Sequence, residues 1–473
     1  MNPLVPALML ALAAVPFAPP GDWAINFAHI DQLTERIALG GDTVSIVHIY
    51  ANYPDYHWVA AAESGPEGIA CVDDAARAAV LSLRSFELRG DTASLERARG
   101  LLAFVMHMQA PDGEFCNFIR ADHTVNVTGK TSFKSFGWWA ARGLWAMAMG
   151  GRIFRDRDPQ FARMLLGRVS LMIPLVSASL DDYGNTRSVR GYAIPRWLPY
   201  ESGADVTSEL LLGLLEYRRG LPERKVVPDD SLSRSITELA RGLMLMQDGN
   251  GKTPPYGLHR SWETLWHMWG NGQTQALSTA GLMLHDTAMT ASAVREARGW
   301  YGRLLMDGFL KECDVSGASP AAEYDQIAYG VRPMAVGLLR LYDATKDRDY
   351  LLMAGLAASW FTGNNPAGKA MYDPATGRCY DGIRDSLTLN LNSGAESTIE
   401  ALYTLIEVNH YPDAAALLGC RKVAAGTAGR FSYAVFRGEP DTEVTLARES
   451  VTGTLSVYGG DESKAFRRKE KIP

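Results

Sequence analysis

Helical segments joined alternately by short and long connections constrain this chain more than any other feature of its sequence. Apolar residues recur at spacings of three and four from residue 71 onward, the period of a helix face. The pattern predicts helices in pairs over 71–89 with 92–109, 135–153 with 158–179, and 204–219 with 229–247. Further pairs follow over 272–285 with 288–309, 327–344 with 347–362, and 395–409 with 411–424. Links within pairs are short, as in Arg89-Gly90-Asp91 and Ala344-Thr345-Lys346-Asp347. Links between pairs are long, over 110–134, 180–203, 248–271, 310–326 and 363–394. Short links join antiparallel neighbours, and long links in a compact domain usually carry function. Six such hairpins predict an all-α (α/α)6 toroid, with every long link at one rim around a central funnel. An open solenoid would show a repeat of fixed period, and none is present. With 47% hydrophobic residues, the chain has enough apolar surface to fill such a core and is not disordered.

The ends differ from this pattern. Leu4 to Ala18 is almost wholly apolar but too short for a bilayer span, and the first basic residue is Arg36. It resembles the apolar region of a signal peptide, so residues 1–20 are expected to direct export to the periplasm or beyond the cell. No other run is expected to cross a membrane. Residues 21–70 read as an N-terminal extension containing a strand over Thr43 to Tyr50. The toroid is expected over 71–425. Residues 426–473 read as a β-like tail, with strands at Phe431 to Phe436 and Thr442 to Leu446 and a solvated end at Lys464 to Lys471.

A net charge of −6 argues against general nucleic-acid binding, which needs a basic surface. Cys71, Cys116, Cys313, Cys379 and Cys420 form no CxxC, and the histidines form no HExxH, so no metal is expected. Phosphate-cradling glycine loops and the GxSxG elbow are absent, so neither a nucleotide cofactor nor a serine nucleophile is expected.

Candidate chemistry gathers where long links enter helices. Asp73 and Asp74 open the first helix, where one acid suffices as a cap and the other is left for activating water. Glu396 opens the last inner helix after Asn392-Ser393-Gly394, placed to protonate a leaving oxygen if burial raises its affinity for the proton. Asp325 is a reserve base. Trp262, Trp266 and Trp269, with Glu263 and His267 between them, suit stacking on sugar rings and bonding their hydroxyls. Tyr324, Arg332 and Trp197 complete the expected substrate contacts.

The helix pairing, Asp73-Asp74, the Asn364-Asn365-Pro366 turn and Gly394-Ala395-Glu396 together resemble the six-hairpin glycosidase superfamily. The Asn-Pro turn and the late Glu are similar to the closing region of family nine glycoside hydrolases. That resemblance implies a toroid enzyme pairing an early Asp as base with a late Glu as acid, mostly with inversion. The expected function is therefore an exported glycoside hydrolase acting on a poly- or oligosaccharide. A lyase using Tyr324, Tyr329, His267 and Arg332, a sugar epimerase on the same toroid, and a glycan-binding protein without catalysis are the alternatives.

Overall fold

The computed structural model describes residues 23–221, 231–439 and 441–473. The segment Leu4 to Ala18, expected to direct export, lies outside them. Six helices form a closed inner ring: Val72–Arg89, Trp138–Ile153, Ala204–Gly220, Gln273–Leu284, Ala328–Thr345 and Ala395–Asn409. Each packs on its predecessor, and the sixth returns to pack on the first. The fold is the expected (α/α)6 toroid.

Inner helices are buried on all faces, so their sequences lack a polar stripe. Small residues set their spacing. The first carries Ala75, Ala76, Ala78 and Ala79, all fully buried. At Gly213 on the third, a Cβ would lie 2.3 Å from Leu144 Cδ2 and 2.8 Å from the Trp145 amide on the second. Only glycine permits that approach. The tight turns at the closed end use left-handed residues, Gly90, His285 and Lys346, each of which donates its N–H to the carbonyl four residues earlier.

Outer helices cover the ring at Thr92–His107, Pro159–Ser179, Ser231–Leu245, Thr287–Glu296 and Asp349–Ala358. The second of these, extended to Asp182, is the one described helix long and apolar enough to cross a membrane. It is an outer helix of the toroid here, and its Phe161, Leu165, Val169, Met172 and Val176 pack into the core. The sixth outer helix, expected over 411–424, is a single turn at Pro412–Ala415. The short N-terminal helix Ala28–Leu33 packs on the sixth inner helix beside it.

The expected N-terminal strand is a hairpin of Thr34–Leu39 with Asp42–Val47, packed on the first outer helix. The C-terminal region is a four-stranded antiparallel meander, Arg421–Ala428, Phe431–Gly438, Thr442–Glu449 and Leu455–Gly459. Alternation along the second strand divides its faces. Ala434 and Phe436 join the toroid core, while Tyr433 and Val435 face the other way. That second face is covered by a helix, Asp461–Glu470, whose Phe466 stacks on Tyr458 at 4.2 Å. Lys464 to Lys471, expected to be solvated, lies mostly in this helix, with Arg468, Lys469 and Lys471 exposed and Phe466 as its buried anchor.

The long connections are tied to one another by short strand pairs. Ala70–Cys71 pairs with Phe118–Ile119, Leu265–His267 with Glu312–Asp314, and Gln326–Ile327 with Gly382–Ile383. These ladders satisfy loop backbone groups and fix the rim around the funnel.

Candidate active site

The long connections surround a cavity of about 690 Å³ at the N-terminal ends of the inner helices. Trp138, Trp262, Trp269, Phe133 and Tyr200 supply its aromatic wall. Arg142, Glu201, Asp205, His267, Tyr329 and Glu396 supply its polar groups.

Beneath lies a floor drawn from all six inner helices. Arg77 of the first bonds Asp74 at 2.5 Å, Glu396 at 2.8 Å and Glu400 at 3.5 Å. Arg142 of the second donates to Asp73 at 2.8 Å and to the Tyr329 hydroxyl at 2.7 Å. Tyr329 of the fifth donates in turn to Glu209 of the third at 3.0 Å. Arg332, one turn below Tyr329, bonds Glu400 of the sixth at 2.6 Å and Gln275 of the fourth at 3.1 Å. Each guanidinium has carboxylate partners because an unpaired buried charge costs several kcal/mol. Burial pushes the carboxyls of Asp74 and Glu400 above their usual range, against the pull of Arg77 on the first and of Arg332 and Arg77 on the second. Burial likewise raises the Tyr329 phenol.

Of the three carboxylates that line the cavity, Glu396 and Asp205 come from opposite sides of the ring. Glu396 sits in the first turn of the sixth inner helix, its side chain 43% exposed. Asp205 sits in the first turn of the third, three places around the ring. One Asp205 oxygen accepts from the Val206 amide at 2.7 Å, and the other meets His267 Nε2 at 3.1 Å. The His267 ring stacks on Trp269 at 4.3 Å, and its Nδ1 is buried without a partner.

The expected facing of Asp73 or Asp74 against Glu396 is replaced by a shared cation. Arg77 holds Asp74 and Glu396 on one side of the funnel. Asp74 is 3% exposed, and Asp73 is engaged by Arg142 and by the Asn117 amide at 3.1 Å. Asp325 lies exposed outside the cavity.

Among the expected substrate contacts, Trp262, His267 and Trp269 line the cavity. Trp262 is 39% exposed, and its indole N–H donates to the Glu201 carbonyl at 3.2 Å. Trp266 does not line it. It is the middle residue of the strand Leu265–His267, so its side chain points away from those of its neighbours. It packs edge-on against Trp300 at 5.1 Å in the core. Glu263 leaves the cavity for an ion pair with Arg187 at 2.8 Å. Trp197 is a core residue whose indole N–H donates to the Glu238 carbonyl at 2.9 Å. Arg332 is 1% exposed and lies under the floor, and Tyr324 lines a different cleft.

Several residues brought together here were outside the expected set: Arg77, Arg142, Asp205, Glu209 and Glu400. A helical-turn spacing marks most of them. Asp74 with Arg77, Asp205 with Glu209, Tyr329 with Arg332 and Glu396 with Glu400 each place a rim residue above a deeper one. Among the described residues, no cluster of three or more His, Cys, Asp or Glu is placed to hold a metal ion. The five cysteines are unbridged.

No family model matches the chain, and no curated protein matches it. Solved structures do match. The cellobiose 2-epimerase of Bacillus thermoamylovorans B4167 superposes with a TM-score of 0.54 at 10% identity, over 81% of this chain and 96% of that one. A sugar epimerase from a ruminal bacterium gives 0.52 at 13% identity, over 80% and 94%. A D-mannose isomerase gives 0.51 at 11% identity, over 77% and 91%. At these identities the likeness is one of fold, and it agrees with the closed (α/α)6 ring of helices.

Proposed function

We propose that this chain is a glycoside hydrolase acting on an uncharged poly- or oligosaccharide. The observation that carries the reading is the pair of carboxylates, Glu396 and Asp205, on opposite walls of one aromatic funnel. Glycoside hydrolysis with inversion needs an acid and a base separated widely enough to admit a water. Glu396 is the acid. Arg77 keeps Asp74 and Glu400 as partners when Glu396 takes a proton, so protonation strands no buried guanidinium. Asp205, oriented by His267, is the base that activates water. Trp262, Trp269 and Trp138 offer faces for sugar rings.

The same geometry counts against a lyase. A lyase needs a cation free to meet a uronate, whereas Arg77, Arg142 and Arg332 are each engaged by carboxylates. Four formally charged residues line the cavity, three of them acidic, which favours uncharged sugars over uronates. A sugar epimerase is the second reading, because solved structures that share the fold include a cellobiose 2-epimerase and a D-mannose isomerase.

The test is a panel of neutral polysaccharides and their oligosaccharides, incubated with the wild type, Glu396→Gln and Asp205→Asn. Reducing ends and proton NMR are followed together. Reducing ends that appear with inverted anomeric configuration, and vanish in both variants, are expected. An epimerised sugar without chain cleavage, or ultraviolet absorbance from an unsaturated product, refutes the reading. Export is proposed from Leu4 to Ala18 alone, and fractionation of expressing cells tests it.

A further inference from the structure

A second cleft, about 710 Å³, opens outside the ring between the fourth and fifth hairpins and the C-terminal sheet. Its walls include segments of two long connections, 308–326 and 363–368, so it lies on the same rim as the funnel. The Asn364-Asn365-Pro366 turn forms another edge. Both asparagines are used structurally. Asn365 Nδ2 donates to the carbonyls of Trp360 at 2.8 Å and Lys369 at 2.7 Å. Asn364 Nδ2 donates to Ser359 Oγ at 2.8 Å, and its oxygen accepts from the Lys422 amide at 2.9 Å. They shape the cleft and leave other groups to meet a ligand.

Those groups are unusually unengaged. The Arg303 guanidinium lies 3.3 Å from the centre of the Tyr256 ring, but among the described residues it bonds no carboxylate and its Nε has no partner. The Trp300 indole N–H, in a wall residue 7% exposed, also has no acceptor. Asp307 and Glu323 line the same cleft and make no ion pair among the described residues. Tyr324 and Phe309 present half-buried aromatic surface beside them.

Buried donors without acceptors are rare and need a ligand, a water or an ion to account for them. Arg303, Arg421 and Lys422 share the cleft with Asp307 and Glu323, so its lining is mixed in charge and does not select a phosphate. An apolar ligand would leave Arg303 Nε and the Trp300 indole N–H unsatisfied. Donors and acceptors side by side on aromatic surface match a sugar ring, which has hydroxyls at its edge and C–H bonds on its faces.

We infer that this cleft is a second, non-catalytic binding site for a neutral carbohydrate chain, with Tyr324 as stacking surface and Arg303, Asp307 and Glu323 bonding hydroxyls. It extends the proposed function and rests on that reading only for the choice of probes. A polymer held here lies on the rim that also carries the funnel mouth, which raises the effective concentration of its sugars at the carboxylate pair.

The test reads binding without turnover. Full-length Glu396→Gln protein is run in native gels containing neutral β-glucan, glucomannan or xylan. The same is done after adding Tyr324→Ala with Arg303→Met, and separately Glu323→Gln, which preserves shape and removes a charge. Melting temperatures of the cleft variants are compared with the parent to confirm folding. Retardation in at least one gel is expected, weakened at least fivefold by the double change and measurably by Glu323→Gln. Adding Trp262→Ala in the funnel should leave that cleft-dependent portion in place. Retardation indifferent to the cleft variants overturns the inference, as does free migration through all three gels. Absence of hydrolysis by the wild type would instead fail the proposed reaction and leave this binding result standing.

Discussion

The closed end of the toroid offers a quantitative test of how its charges are held. Glu407, on the sixth inner helix, is fully buried. Arg84 of the first inner helix grips both its oxygens, at 2.6 and 3.1 Å, and Arg340 of the fifth donates to one of them. Burial alone would push this carboxyl upward. The two guanidiniums win, and it falls from an ordinary 4.5 to about 2. At about 1.4 kcal/mol for each tenfold change in proton affinity, that drop corresponds to about 3 kcal/mol of folding free energy. The folded-state value is depressed, so the contribution is present above pH 4.5 and is lost as pH falls toward about 2. Glu407→Gln removes it and leaves two guanidiniums without their shared anion. Removing one partner of a buried pair costs about 3–5 kcal/mol. The assay is urea unfolding of both proteins, followed by tryptophan fluorescence at intervals from pH 7 to pH 3. The expected stability gap is about 3–5 kcal/mol at neutral pH and narrows steadily below about pH 4.5. A gap under about 1 kcal/mol, or one that stays constant across that range, would refute the reasoning.

Other expectations are simpler to check. Glu396→Gln should lower kcat by about 10²–10⁴-fold on any substrate found, with an unchanged melting temperature, because the side chain is nearly half exposed. Arg77→Met should lower stability by about 3–5 kcal/mol in denaturant titration, because it leaves Asp74 and Glu400 short of a buried partner. Phe466→Ala should cost about 3 kcal/mol locally, seen as faster amide exchange confined to the helix Asp461–Glu470.

The ring was legible because the alternation of link lengths depends only on where apolar periodicity stops and restarts. The last outer helix was misread for the same reason. The apolar run after Pro412 has helical spacing, yet the helix ends at Ala415, turns continue to Gly419, and a strand begins at Arg421. Glu396 was legible from its place at a helix start. Trp266 was not, because a cluster of three tryptophans says nothing of the strand that turns the middle one inward. Arg332 was read as a substrate contact, although the turn between it and Tyr329 already places it deeper. The floor as a whole was hidden because its bonds join helices far apart in sequence. What one sequence does show is the vertical spacing within each helix, and that spacing marks Asp205 with Glu209 as clearly as Glu396 with Glu400.

The bonds between the first and sixth inner helices have a consequence for how the molecule is made. Arg77 is 319 positions from Glu396, and Arg84 is 323 from Glu407. A growing chain exposes both guanidiniums early and holds them without these partners while four further inner helices are synthesised. Contacts of such sequence separation form late and slowly, since the intervening loop must close first. The funnel acquires its second wall only when Ala395–Asn409 slides between the first and fifth inner helices. No shorter nascent chain has both Glu396 and Asp205 in place, so the pair is assembled in the same step that completes the ring.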